Sequence, residues 1–190
     1  MQDGAVQLTT RVAVIVTFLR MEQPCGDPPR PLPADVSVVR VERPSVAFYR
    51  YLYETVGGPH CWWLRRVLPD QTLADLLADP AVSVQVLYRD GEPIGFYELD
   101  ERHQFNANLS YFGLVPWAVS KGVGSRFLRR AVDDAWSRSP RALTVNTCTA
   151  DHPNALPAYL RVGFRPMRSV RELWDIPARL GIAIPNHLRV

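Results

Sequence analysis

The sequence predicts one mixed α/β domain, a mixed sheet with helices on both faces. Three observations predict it. The alternating residues Val82, Val84 and Val86 and the return strand 94–99 flank the turn pair Asp90-Gly91, which begins an antiparallel meander. Helical spacing of apolar residues recurs over 46–56 and 123–135. The last third then alternates strand, helix, strand, helix, strand, the order that builds a sheet with covered faces. With 190 residues, 47% of them hydrophobic, the chain can bury a core without metals or disulfides.

The first strand is the apolar run 12–19, too short for a membrane span and followed by no small-residue cleavage site. Prolines 24, 28, 29, 31 and 33 make a stiff connector that continues neither helix nor central strand, and it separates this strand from the main body. A second strand spans 36–41. Ser45 opens a helix whose apolar side is Val46, Tyr49, Leu52, Tyr53 and Val56, and Gly57-Gly58-Pro59 stops it. Thr72 and Asp75 form a capping-box pattern that starts a second helix with Leu73, Leu76 and Leu77 on one side, ended by Pro80.

After the hairpin, 109–115 reads as a strand and 122–137 as a helix with Val123, Phe127, Leu128, Ala131 and Ala135 on one side. A strand over 142–147, a short helix over 153–162 and a last strand from Phe164 complete the pattern, with no internal repeat. The expected organisation is a strand and connector (1–35), the main domain (36–180) and a tail (181–190).

A net charge of +3, from 22 basic and 19 acidic residues with no block of five like charges, argues against a nucleic-acid partner. Cys25, Cys61 and Cys148 are odd in number and lack C-x-x-C spacing, which argues against a disulfide framework or a four-cysteine zinc site. A reducing, cytoplasmic setting, with neither metal nor membrane, is the expectation.

Gly122 and Gly124 stand between an apolar strand and an amphipathic helix. Free N–H groups there can converge on a pyrophosphate with the helix dipole behind them, although a tight turn needs glycines for steric reasons alone. A dinucleotide fingerprint would need glycine where Phe127 stands, and a P-loop needs its lysine after the glycine, whereas Lys121 precedes it.

Leu114-Val115-Pro116, followed by Lys121-Gly122-Val123-Gly124-Ser125, resembles the strand, turn and Gly-x-Gly of the GNAT acyltransferase superfamily. The stretch 154–164, an Ala- and Tyr-bearing helix running into Gly163-Phe164, resembles its second signature. The resemblance implies the GNAT fold, a mostly antiparallel sheet splayed open at an acetyl-CoA site. Pantetheine would pair with Leu114 and Val115, and the pyrophosphate would sit on the N–H groups of Lys121, Gly122, Val123, Gly124 and Ser125. The Ser125 hydroxyl would add a donor. Lys121 and Arg126 would lie near the phosphates or remain solvated cations, and Asn154 is a further candidate contact. Val119 stands where the family carries Gln or Arg, which removes one side-chain contact.

The implied reaction is N-acetylation of a small-molecule or amino-acid-like amine, with Tyr159 as general acid at the sulfur and the Val115 N–H as oxyanion donor. A non-catalytic acyl-CoA-binding module and a protein N-acetyltransferase are the alternatives, and a homodimer is compatible with any of them. For the base, alternation places Glu98 and Asp100 on one side with Ile94 and Phe96, making Glu98 the better candidate to be buried with a raised pKa. Asn108 stands where related sequences often carry an acid, and it can orient water without taking a proton.

Cys148 and His152 lack a third ligand or a matching carboxylate, so Cys148 reads as a core residue. Asp151 and Asn154 bracket a helix start, where capping is their common use. The family architecture puts the first two helices on the acceptor side. There, Phe48, Tyr49, Tyr51, Tyr53, Trp62 and Trp63 suit an apolar or cation-binding pocket or simple core packing, and Arg65 and Arg66 suit a substrate carboxylate or solvent.

Overall fold

A computed structural model describes residues 8–103, 105–119 and 122–190. Seven strands form one sheet in the order β2-β3-β4-β5-β6-β1-β7. They are β1 (Thr9–Met21), β2 (Val36–Val41), β3 (Val82–Arg89), β4 (Glu92–Asp100), β5 (Asn106–Leu114), β6 (Ala142–Cys148) and β7 (Arg165–Pro177). The helices are α1 (Val46–Gly57), α2 (Leu64–Val67), α3 (Asp70–Ala78), α4 (Gly124–Trp136) and α5 (Ala155–Val162).

Local chemistry explains most of these boundaries. Asp90 and Gly91 both have positive φ, 51° and 81°, as a two-residue primed hairpin turn between β3 and β4 requires. The Ser45 hydroxyl accepts from the Phe48 N–H and caps α1. The capping box expected at Thr72 is corrected: α3 begins at Asp70 after Pro69, with no side-chain cap, and Asp75 instead accepts from the Gln71 amide four residues earlier. Proline sets the φ of the preceding turn, so the helix starts two residues sooner than the hydroxyl pattern suggests.

Both faces of the sheet are covered. Phe96 and Tyr97 are neighbours on β4 and therefore point to opposite faces. Phe96 packs edge-on against Tyr49 of α1, and Tyr97 packs against Phe127 of α4. Val84, Val86 and Leu87 are buried, so β3 is a two-sided core strand and not the half-exposed strand its alternation suggests.

The N-terminal strand, set apart in sequence by the proline connector, is interior in space. β1 pairs antiparallel with β6 through Val16–Met21 and with β7 through Thr9–Arg20. Its residues Val12, Val14 and Val16 bury against Ile176, Ile184 and Leu188, so the tail closes the same end of the molecule.

Candidate active site

The sheet opens at one place. β5 and β6 run parallel, but they pair only at Asn106↔Ala142, Ala107↔Leu143 and Asn108↔Thr144. Beyond Asn108 the two strands part, and a cleft of about 870 Å³ extends along the gap. Phe112 and Leu114 of β5, Ser125 of α4, Tyr159 of α5, Asp151 after β6 and Trp62 before α2 all line it. The mostly antiparallel sheet is thus splayed, as the family resemblance implies.

The exposed edge of β5 is set by its register with β4. The Val115 N–H donates to the Ile94 carbonyl at 2.9 Å, so it is committed to the sheet and not free for an oxyanion. The expectation for Val115 is corrected on that ground. Because alternate residues of a strand turn their backbone groups to opposite sides, Gly113 faces β4 with Val115, while Phe112 and Leu114 face the opening. Gly113 has a second function: a Cβ there would lie 2.4 Å from Val56 Cγ1, so only glycine lets α1 sit this close to the strand.

At the far end of β5, Gly122 has φ +76°, a left-handed conformation that glycine adopts without penalty, and nothing stands over it within 4 Å. Val123 is fully buried and anchors the turn in the core. α4 starts at Gly124 with no side-chain cap, and its first intrahelical bond runs from the Phe127 N–H to the Val123 carbonyl. The N–H groups of Gly124, Ser125 and Arg126 therefore lack intrahelical partners. Lys121 lies outside the described residues. Ser125 is exposed where the cleft meets a second recess of about 1030 Å³ that holds Arg20, Arg30, Arg126, Arg129, Arg161 and Arg165. Arg126 and Arg129 also donate to the carbonyls of Pro31 and Asp27, which straps the proline connector along α4.

Tyr159 is 7% exposed and packs edge-on against Phe164. Its hydroxyl has no hydrogen-bond partner among the described residues, and it faces the cleft. Burial, and then the charge of Asp151, raise its pKa above the ordinary phenol value, so it holds its proton at neutral pH.

Glu98 is buried, as expected, but away from the cleft. It is fully buried beneath α1, where Oε1 accepts from Arg65 Nη2 at 2.6 Å and Oε2 accepts from the Tyr49 hydroxyl. Both oxygens are occupied, and the carboxylate is not part of the cleft wall. Burial opposes the Arg65 charge, but Glu98 together with Tyr49 and Tyr111 outweighs it and the arginine pKa is raised. Asp100 binds Arg102 at 2.6 Å.

Asp151, read from sequence as a helix cap, instead closes the turn after β6. Its carboxylate accepts from the Thr147 hydroxyl at 2.7 Å, the Cys148 N–H at 2.9 Å and the Trp62 indole at 3.4 Å. Cys148 has its pKa pushed up to about 12, first by burial and then by Asp151, so it is a thiol and no nucleophile. Asn154 is exposed at the cleft rim; its N–H donates to His152 Nδ1 at 3.1 Å and its side chain caps nothing. His60, on the turn after α1, lines the cleft beside these groups. The sequence pattern carries no local signal for His60 or for the Trp62 contact of Asp151, since these join the turn after α1 to the turn after β6, about ninety residues apart.

The acceptor side is aromatic. Tyr53, Trp62 and Tyr111 form a mutual cluster with ring centroids 4.9–5.3 Å apart, and the Arg65 guanidinium lies 5.2 Å from the Tyr111 ring centre. Tyr49 belongs to the core, and Tyr51 is exposed. Arg66 is held by Glu54 and the Leu180 carbonyl, so neither paired arginine is uncommitted. Among the described residues no cluster of His, Cys, Asp and Glu suits a metal ion, and no helix is long and apolar enough to cross a membrane.

No curated protein matches the sequence. Solved structures share the fold at low identity. A GCN5-related N-acetyltransferase from Kribbella flavida is 15% identical, with 90% of this chain and 62% of that one covered at a TM-score of 0.57. A tandem GNAT protein from the clavulanic acid biosynthesis pathway is 14% identical, with 90% and 55% covered at 0.60. An aminoglycoside acetyltransferase from an uncultured soil metagenomic sample is 14% identical, with 68% and 88% covered at 0.56. The chain spans 53–65% of the length of five such structures. The profile of the acetyltransferase (GNAT) family matches residues 41–164, which takes in α1, the meander, the glycine turn and Tyr159. With the splayed sheet and the uncapped α4, that match makes the chain a member of the GNAT acetyltransferase family.

Proposed function

We propose that this protein is an acetyl-CoA-dependent N-acetyltransferase acting on a small amine. The observation that carries the proposal is one opening that joins a β5 edge with free backbone groups at Phe112 and Leu114 to the uncapped start of α4. These features fit the two halves of the donor. A pantetheine arm is an extended chain of amides, and a strand edge pairs with such a chain as with a peptide. A pyrophosphate is satisfied by first-turn N–H groups on an unobstructed glycine turn. Gly122, Gly124, Ser125 and the Arg126 backbone would hold it, and the arginines of the neighbouring recess supply positive charge. Asn154 at the rim remains a candidate contact. Acetyl-CoA supplies the reaction with an acetyl thioester.

The residues of the chain do the rest. The outward N–H of Phe112 or Leu114, in place of Val115, is the donor available to a developing oxyanion. Tyr159 keeps its proton and faces the cleft, which suits it to protonate the leaving thiolate. The wall of Tyr53, Trp62 and Tyr111 favours a small, partly apolar or cationic acceptor over a protein chain. The neighbour noted above is described as an aminoglycoside acetyltransferase, and aminoglycosides are small amine-bearing molecules.

The test is calorimetry with acetyl-CoA on the wild type and on Gly124→Trp, then a panel of amines with detection of released thiol. Binding lost in Gly124→Trp together with turnover that falls on the order of 10²-fold or more in Tyr159→Phe is the expected result. Tight binding with no thiol release from any amine would instead favour a non-catalytic acyl-CoA-binding module.

A further inference from the structure

We infer that His60 is the general base that takes the proton of the attacking amine, with Asp151 and His152 holding the wall around it. The inference rests on the transferase reading above and names the one group that reading leaves unassigned.

Among the carboxylates and imidazoles that line the cleft, the geometry singles out His60 as the one whose side chain makes no hydrogen bond among the described residues. The carboxylates that line the cleft are Asp100, Asp151 and Glu172. Asp100 is bound by Arg102, Asp151 accepts from three donors, and Glu172 accepts from the Trp174 indole at 2.8 Å. Glu98 is sealed beneath α1 by Arg65 and Tyr49. His152 has its Nδ1 lone pair engaged by the Asn154 N–H. That leaves the half-buried ring of His60, which meets the His152 ring edge-on with centroids 6.1 Å apart.

The position of the ring is fixed by its own turn. His60 ends a 3-10 turn, Gly58–His60, and Cys61 after it takes a left-handed conformation with φ 56°, which reverses the chain against the turn after β6. Among the described residues no hydrogen bond engages the ring, and a neutral imidazole always keeps one nitrogen lone pair, so His60 has an acceptor nitrogen to offer. The charged and titratable groups that face it are Asp151 and His152, both from the turn between β6 and α5. Burial, with a smaller contribution from His152, lowers the His60 pKa against the opposing pull of Asp151 and the Ala150 backbone. An imidazole below its ordinary value is unprotonated at neutral pH and can accept a proton.

The step balances. The neutral amine nitrogen bonds to the acetyl carbonyl carbon and the carbon–sulfur bond breaks. One amine proton passes to His60, and the sulfur takes the Tyr159 proton. His60 then returns its proton through solvent to the tyrosinate, leaving the amide and free thiol.

The experiment compares wild type, His60→Gln and His152→Gln. For His60→Gln, acetyl-CoA affinity by calorimetry stays at the wild-type value, turnover falls on the order of 10²–10³-fold, and the acid limb of kcat/KM against pH disappears. His152→Gln keeps that limb. An NMR titration of the wild-type imidazoles puts the His60 midpoint below 6.5. An intact acid limb and near-normal turnover in His60→Gln overturn the assignment while the transferase reading stands, as does a His60 midpoint above 6.5 or a limb lost only in His152→Gln. Wild-type protein that binds acetyl-CoA and acetylates no amine overturns the transferase reading itself, and the base with it.

Discussion

Glu98 and Arg65 form an ion pair with almost no water around it, because the glutamate is fully buried and the Arg65 side chain is only 15% exposed. Removing one member of such a pair leaves the other charge buried and unpaired. Glu98→Gln should therefore cost about 3 kcal/mol in urea unfolding, and replacing Arg65 by leucine in the same chain should restore part of the loss. If the folded Glu98→Gln protein retained its turnover, the carboxylate would be structural, as its two occupied oxygens imply. Gly122 tests a different property. Its φ of +76° disfavours any side chain, so Gly122→Ala should destabilise the protein by roughly 1–2 kcal/mol and weaken acetyl-CoA binding in the same titration. Only the first of these two residues depends on distant partners, and only the second is legible as a glycine with a geometric duty.

At the scale of elements, β5 decides the site. Its start is held by three pairs with β6, with β4 joining at Asn108, and its second half is held by β4 alone. The unpaired edge is what a ligand can use. Gly113→Val would push a methyl group into Val56 Cγ1, displace α1 and narrow the acceptor wall. A loss of about 1–3 kcal/mol in the denaturant midpoint is expected, with a raised KM for the amine. β7 poses the opposite problem, an exposed edge that must not pair. Arg165, Pro166, Arg168 and Arg171, with a bulge beside Phe18/Leu19, are the features that keep such an edge from joining another chain. The hairpin turn, the α1 cap and the glycine turn could be read from sequence because each is set by residues within four positions. The Thr72 cap is misplaced although Pro69, the local signal that starts α3 earlier, lies three residues before it; the commitment of Val115 could not be read, since the register of β4 decides it.

Across the whole molecule, β1 joins two parts that sequence order keeps apart. It lies between β6 and β7, so without it β7 has no neighbour and the end of β6 is uncovered. Deleting residues 1–21 should abolish the cooperative unfolding transition followed by near-UV circular dichroism. Leu188→Ala, at the tail that packs on Val12, should cost about 2–5 kcal/mol and leave the transition cooperative. By itself the sequence determined the seven strands and every helix but the one-turn α2, their order, the glycine turn and the tyrosine before Gly163, because periodicity, turn residues and capping are short-range properties of the chain. Tertiary structure decided which backbone N–H groups stay free, which carboxylates are spent on arginines, and which histidine meets the cleft. Those outcomes depend on pairing register and burial, and both arise only when segments far apart in sequence are packed together.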